Sequence, residues 1–147
     1  MSDLQYRYVE QLPIALVLTS LTVGIHGLGM DGVRRYFKRS WLSAPEHPRA
    51  AAHLMVMVGI VAIMMVTHFT EIAVWGVFFL LSGMIPDPAV AMYFSIGSYT
   101  TLGASGIALP SHWQGLGGFE AMAAMLMFGW STAMLAAVIL KVQSLET

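Results

Sequence analysis

Residues 93–106 read Y-F-S-I-G-S-Y-T-T-L-G-A-S-G, an aromatic start followed by hydroxyl side chains and then by small residues. Asp87 and Pro88 stand before this stretch, where they fit a helix N-cap and the first helical position. A helix from Pro88 to about Tyr99 would be roughly 18 Å long, about half the thickness of a membrane's hydrocarbon core. We expect the next four residues to continue as extended chain. Because non-helical backbone at membrane depth must be covered by protein or line a water-filled cavity, the pattern predicts a re-entrant pore loop over residues 87–106.

A loop of this kind favours a cation and requires more than one chain. The half-length helix points the negative end of its macrodipole at the membrane centre, which stabilises a positive charge there. One chain supplies one loop, whereas a ring of carbonyl groups around an ion needs several. We therefore expect a homotetramer around a central axis.

The composition indicates a membrane protein. Of the 147 residues, 57% are hydrophobic and only 10% are charged, whereas a soluble domain has about 25% charged residues. The net charge of −1 gives no sign of a nucleic-acid partner, and the absence of cysteine excludes disulfide and thiolate chemistry. No nucleotide-binding loop, catalytic triad or nucleic-acid patch is visible, so the sequence does not predict an enzyme.

Three apolar runs are long enough to cross a membrane, over residues 11–30, 53–85 and 121–140. The second run would be about 50 Å long as one helix, so we expect it to tilt, to begin below the membrane and to end at Pro86. We expect the inner helix of the pore to cover residues 119–141. The sequence thus predicts an all-α membrane protein with three transmembrane helices, a re-entrant pore helix and a filter-like loop.

The segment between the first two runs, residues 31–49, combines an aromatic stripe with a basic face. Val33, Tyr36, Phe37 and Trp41 repeat at helical spacing, which predicts a short interfacial helix rather than a solvated basic loop. The opposite face would bind anionic headgroups through Arg34, Arg35, Lys38 and Arg39.

Most of the basic residues lie in this same segment. Five of the seven Lys and Arg residues fall between residues 34 and 49, so the positive-inside rule places the segment in the cytoplasm and the N-terminus outside. We expect residues 1–52 to form a transmembrane helix with a cytoplasmic amphipathic helix, and residues 53–147 to form a pore module whose C-terminus is cytoplasmic.

Three short motifs resemble the two-helix pore unit of the bacterial potassium-channel family. They are Y-F-S at residues 93–95, Y-T-T-L-G at 99–103 and F-G-W-S-T at 128–132. Small members of that family are similar in having an extra helix before the pore unit. The resemblance covers about half of the chain, and it implies a multi-pass protein of the bacterial inner membrane that conducts monovalent cations such as K⁺ or Na⁺.

The filter-like segment departs from the family pattern T-T-x-G-Y-G-D. Its first four residues match, but Ala104 stands in place of Tyr, Ser105 in place of the second Gly and Gly106 in place of Asp. A serine adopts the backbone angles of that glycine only at a cost. The resemblance therefore implies a non-standard filter, with potassium selectivity weakened or lost, formed by Thr100, Thr101, Leu102, Gly103, Ala104, Ser105 and Gly106.

His68 and Glu71 lie three residues apart in the second run, at a depth where ionisable groups are functional candidates. They could form half of a metal site, or a hydrogen-bonded pair that holds the second helix against the pore helix through Ser98 or Tyr99. We favour the pair as support for the filter, with no metal or other cofactor. An alternative function is a membrane redox or metal-binding subunit that uses His26, His68 and Glu71, with His26 and His68 as the ligands if the group is a haem.

The third run carries the candidate cavity residues of the pore. Gly129 could be a gating bend or a close helix contact. Ser131 and Thr132 could line the inner cavity, or their hydroxyls could bond the carbonyl four residues earlier. A further alternative is a non-conducting scaffold that keeps the fold of a channel.

Overall fold

The computed structural model describes residues 3–42, 50–104 and 106–146. The described residues form four α-helices, which are α1 (Asp3–Leu42), α2 (Ala50–Leu81), α3 (Pro88–Tyr99) and α4 (Leu116–Glu146). Three of them contain stretches that are long and apolar enough to cross a membrane. The predicted all-helical class with three such helices is confirmed. The stretches are Val9–Trp41, Ala51–Leu81 and Leu116–Ser144.

The predicted interfacial helix is wrong, because residues 31–42 continue α1 as one unbroken helix of 40 residues. Val33 is fully buried, and Tyr36 and Phe37 pack with it against apolar side chains of α2 and α4, among them Ile60 and Met134. An apolar stripe at helical spacing indicates a buried face but not whether lipid or protein covers it. Here two neighbouring helices cover it. The rest of the predicted segment, residues 43–49, lies outside the described residues.

The basic residues of this segment lie on the exposed side of α1. Arg34, Arg35, Lys38 and Arg39 are all exposed, and Arg35 forms an ion pair of 2.8 Å with Asp31 one turn earlier. Asp31 lies in the interior of α1. The face that could meet anionic headgroups is present, but it belongs to the end of a long helix.

Glycines bring α1 and α2 close together at two levels. A Cβ atom built at Gly29 would collide with the side chain of Thr67, and one built at Gly59 would collide with the ring of Tyr36. A hydrogen bond of 3.0 Å from Trp75 Nε1 to the hydroxyl of a buried threonine in α1 ties the same pair of helices nearer its other end. The pairing of α1 with α2 is thus fixed along its length.

The second helix runs unbroken but ends earlier than predicted, at Leu81 rather than next to Pro86. Gly83 adopts a φ of +72°, and its N–H donates to the carbonyl of Leu80 at 3.1 Å. A glycine in the left-handed region whose N–H makes such a bond is a common helix terminator. The glycine therefore ends the helix before the proline can do so.

The bounds of α3 agree with the sequence prediction, but the chain after it does not. Asp87 caps the helix by accepting hydrogen bonds from the N–H groups of Ala89 at 2.8 Å and Val90 at 3.0 Å. Beyond the last helical residue, Thr101 has a φ of +60°, and the N–H of Gly103 donates to the carbonyl of Gly97 at 2.9 Å. The expected extended chain is wrong, because the segment turns back on α3 and closes its last turn.

The contacts of α3 fix its position along the bundle. Phe94 packs against Phe79 in the last turns of α2, with ring centroids 5.1 Å apart, whereas Tyr99 reaches Glu71. The C-terminal end of α3 thus lies beside the middle of α2. The connection to α4 returns to the end of the bundle where α1 begins, since Gln11 Nε2 donates to the carbonyl of His112 at 2.8 Å.

Candidate functional site

A cluster of polar side chains occupies the centre of the bundle and draws on all four helices. It consists of one residue each from α1, α3 and α4 and two from α2, and all five are buried. The members from α1 and α4, and the histidine from α2, lie near the midpoints of the three membrane-length stretches. Ionisable groups at that depth are functional candidates by default. The residues, which we call the central cluster, are His26, His68, Glu71, Tyr99 and Ser131.

Glu71 is the hub of the central cluster. Its Oε1 lies 2.9 Å from Nδ1 of His26, and its Oε2 lies 3.2 Å from Nδ1 of His68. The phenol of Tyr99 donates to the same Oε2, and its oxygen lies 2.9 Å from Nδ1 of His68. Three helices therefore meet at one carboxylate, and of the two partners considered for the His68–Glu71 pair, Tyr99 is in place and Ser98 is not.

Ser131 joins the two histidines on their other side. Its Oγ lies 3.1 Å from Nε2 of His68 and 3.4 Å from Nε2 of His26. If both Nδ1 atoms carry the hydrogens that Glu71 and Tyr99 accept, both Nε2 atoms are acceptors in the neutral rings. A serine hydroxyl has only one hydrogen to offer them. Two neutral histidines therefore leave one Nε2 unsatisfied.

Aromatic side chains close the central cluster. Trp130 packs on His26 with ring centroids 5.1 Å apart, and Phe128 packs on His68 at 4.8 Å and on Tyr99 at 5.5 Å. The phenol of Tyr99 is buried, and it donates to the neighbouring carboxylate of Glu71. A crevice of about 170 Å³ reaches the cluster from the side and is lined by Met65, His68, Phe69, Ile72, Ile96, Tyr99, Thr100 and Phe128.

A second buried polar contact links α2, α3 and α4 and was not predicted from the sequence. Ser95 Oγ lies 2.8 Å from the carbonyl of Ile72 and 2.5 Å from Oε1 of Glu120. Glu120 is fully buried, and its Oε2 has no hydrogen-bond partner among the described residues. The sequence signal is an acidic residue near the start of α4, directly before the uncharged run over residues 121–140.

The filter-like residues lie at the surface of the single chain. All are exposed except Ala104, which is half-buried, and Ser105, which lies outside the described residues. None of the described residues donates a hydrogen bond to the carbonyl oxygens of Thr100, Thr101 or Leu102. These residues are thus not gathered into a site within one chain, and their predicted role stays a prediction.

The three candidates of the inner helix point in different directions. No atom lies within 4 Å of a Cβ atom built at Gly129, so this glycine makes no close contact among the described residues. Ser131 belongs to the central cluster, a position that neither interpretation of its hydroxyl had foreseen. Thr132 is exposed and bonds the carbonyl of Phe128 at 2.8 Å, which is the predicted bond to the carbonyl four residues earlier.

These features define the class of the protein: an all-helical chain with three helices that could cross a membrane, one short helix packed between two of them, and a buried polar centre. The chain matches no protein-family model, no curated protein and no solved structure. The resemblance to the potassium-channel family therefore rests on the sequence motifs alone.

Proposed function

We propose that this chain is the subunit of a homotetrameric cation channel, or of a channel-like membrane protein, in which α3 is a re-entrant pore helix. The observation that carries the proposal is the position of the end of α3. Tyr99, its last residue, contacts His68 and Phe128, which lie near the middle of α2 and α4. The chain on both sides of α3 starts and finishes at one end of the bundle. A segment that enters and leaves on one side, and turns at mid-depth, is what a pore loop requires.

The exposed carbonyl groups after α3 supply the second step. The carbonyls of Thr100, Thr101 and Leu102 have no donor among the described residues, and the Leu102 side chain is 86% exposed. Carbonyl groups at membrane depth need partners. Four copies around an axis would turn these groups towards one another, where K⁺ or Na⁺ would take the place of the missing donors.

The central cluster fits a supporting role for this loop. Tyr99 is followed directly by the filter-like residues, and it is anchored to Glu71 and His68 on α2. In the proposed channel, these three residues hold the end of the pore helix at its depth. Gly129 and Thr132 face away from the bundle on α4, which leaves them free to line an inner cavity in a tetramer.

The proposal includes weakened selectivity for potassium. Gly103 has a φ of +83°, which glycine adopts freely. At the following positions, Ala104 lacks the aromatic ring of the family pattern, and Ser105 carries a side chain that restricts the backbone where the pattern has Gly. A less regular ring of carbonyls would discriminate poorly between Na⁺ and K⁺, and a collapsed ring would make the protein a non-conducting scaffold with the same fold.

The setting of the proposed channel is the bacterial inner membrane. The exposed basic end of α1 would lie at the cytoplasmic headgroups, with the N-terminus outside and the C-terminus inside. The haem-binding alternative is less favoured by the geometry. The His26 and His68 rings have centroids 5.3 Å apart, and both Nδ1 atoms face the carboxylate of Glu71, which leaves no room for a porphyrin between them.

The test combines a measurement of the mass of the assembly with an assay of cation flux. We expect the purified chain in nanodiscs to have the mass of a tetramer, and proteoliposomes to show cation flux. Gly103→Val, which forces a branched side chain into a positive φ, should abolish the flux. Gly24→Val is the matched control, because Gly24 is exposed on α1 with open space around it. A monomer or dimer, or flux that Gly103→Val leaves unchanged, would refute the channel.

A further inference from the structure

We propose that the central cluster binds one divalent transition-metal ion, for which Zn²⁺ is the best match, through His26, His68, Glu71 and Tyr99. The proposal concerns the buried centre of a single chain. It holds whether or not four chains assemble into a pore, so it does not depend on the proposed channel function.

The donor atoms already converge. One ligand atom from each of His26, His68 and Glu71 lies within 4.8 Å of the other two, and the phenol oxygen of Tyr99 lies 2.9 Å from Nδ1 of His68. Ligands about 2.0–2.2 Å from a tetrahedral Zn²⁺ are separated from one another by about 3.5 Å. Small side-chain shifts are therefore enough to surround an ion with two nitrogen and two oxygen donors from three helices.

The hydrogen bonds of the two histidine Nε2 atoms are better satisfied with a metal ion bound than without one. Without an ion, two neutral histidines compete through Nε2 for the one hydroxyl hydrogen of Ser131. With an ion on both Nδ1 atoms, both Nε2 atoms carry hydrogens, and the serine oxygen has two lone pairs to accept them. Ser131 then becomes the outer partner that fixes the orientation of both metal-binding rings, as such partners commonly do.

The charge balance also fits a divalent ion. The Glu71 carboxylate contributes one negative charge, and a Tyr99 phenolate would contribute the second, so the buried site would be neutral with a 2+ ion. The phenol proton leaves to solvent as the ion binds, together with any extra proton shared by the histidines. Imidazole and oxygen donors suit Zn²⁺ or Fe²⁺, whereas a chain without cysteine has no thiolate for Cu⁺.

The alternative to a metal is a purely protonic network, in which one imidazolium is paired with Glu71. That network uses the same residues, and the experiment is chosen to separate the two.

The experiment uses the full-length chain, purified in mild detergent, stripped with a chelator and freed of any histidine tag. Co²⁺ is titrated as the spectroscopic probe, and Zn²⁺ is then added to displace it. We expect one Co²⁺ per chain with the visible absorption of a tetrahedral site, displaced by an equal amount of Zn²⁺. Glu71→Gln and His26→Gln should weaken binding by at least about 100-fold, and Ser131→Ala by about 10-fold, since outer partners are typically worth about 10–100-fold.

His112→Gln is the matched control, because His112 is exposed in the connection before α4 and should leave binding unchanged. Each variant is checked for unchanged helix content and elution volume, and Ser131→Ala, which removes only an oxygen, remains informative if a larger change misfolds. Absence of the cobalt spectrum in the wild type overturns the site and leaves the protonic network. Equal binding by Glu71→Gln and His112→Gln overturns it as well.

Discussion

The Ser95 hydroxyl has one hydrogen and two neighbouring acceptor groups, the carbonyl of Ile72 and the carboxyl of Glu120. Both contacts are satisfied together only if Glu120 is the neutral acid that donates to Ser95, which in turn donates to Ile72. The carboxyl oxygen without a partner among the described residues is then an uncharged carbonyl, whose burial costs far less than that of a charge. We therefore interpret Glu120 as a hydrogen-bond donor that links α4 to α3 and α2.

This interpretation predicts that an amide can replace the acid. Glu120→Gln keeps a donor of the same shape and should change the free energy of unfolding by less than about 1 kcal/mol. Glu120→Ala removes the donor and leaves a cavity, and should cost about 2–4 kcal/mol. Thermal unfolding in detergent measures both. A loss for Glu120→Gln as large as that for Glu120→Ala would mean that the carboxyl is ionised and paired.

A second residue-scale prediction concerns Gly97. A Cβ atom there would lie 2.8 Å from the carbonyl oxygen of Gly103, so Gly97→Ala must displace the filter-like segment despite a helix-propensity gain of about 1 kcal/mol. We expect a lowered melting temperature and altered cation flux. Gly118→Ala, in open space on α4, is the control and should be neutral or stabilising. Equal behaviour of the two variants would mean that the segment does not pack on α3 as described.

Sequence reasoning grouped four of the five members of the central cluster: His68, Glu71 and Tyr99 as support for the filter, and His26 with His68 and Glu71 in the metal-binding alternative. The spacing of His68 and Glu71 places them on one helix face, and Tyr99 was expected beside them because the short helix was predicted to end at that residue. The contribution of Ser131 could not be inferred in the same way. Which face of α4 meets α2 depends on the packing of two long apolar helices, and neither helix has a polar face that marks the contact.

At the scale of elements, the outcome for α1 and α3 shows what local patterns can decide. The N-cap Asp87 and the proline after it define the start of α3 through local chemistry, and the prediction is correct to the residue. The end of α1 has no such signal. Its aromatic stripe fits lipid and protein equally, and only the presence of α2 and α4 turns residues 31–42 into the last turns of a long helix.

The basic end of α1 gives the element-scale prediction. Replacing Arg34, Arg35, Lys38 and Arg39 together with Gln should weaken binding to anionic vesicles, with each charge near the surface worth about 1 kcal/mol. Flotation with vesicles of increasing anionic lipid content measures the effect. Lys141→Gln, a single charge late in α4, serves as the control for net charge. If the fourfold variant keeps its lipid preference and its orientation, the basic face does not bind headgroups.

At the scale of the whole molecule, the proposed tetramer predicts how ion selectivity depends on residues 104 and 105. The double substitution Ala104→Tyr and Ser105→Gly restores the residues of the family pattern, and we expect it to move the reversal potential towards that of potassium under a sodium–potassium gradient in bilayers. Ala108→Tyr, outside the filter-like segment, is the control for adding an aromatic ring nearby. Strong potassium selectivity in the wild type, with no gain in the double variant, would show that these departures do not set selectivity.

Because α1 is unbroken, we expect a movement of its basic end to be transmitted along the helix to His26. His26 and the basic residues from Arg34 onward lie on one unbroken helix, so in the proposed channel a force on its basic end would tilt the histidine that holds Glu71 and, through Glu71, the end of α3. Bilayers of different thickness apply such a force, and we expect flux to change with acyl-chain length. Leu28→Pro, at an exposed position between His26 and Arg34, should break the helix and remove that dependence, whereas Leu28→Ala should keep it. If flux through Leu28→Pro still changes with acyl-chain length, bilayer thickness acts on the proposed pore by a path other than α1.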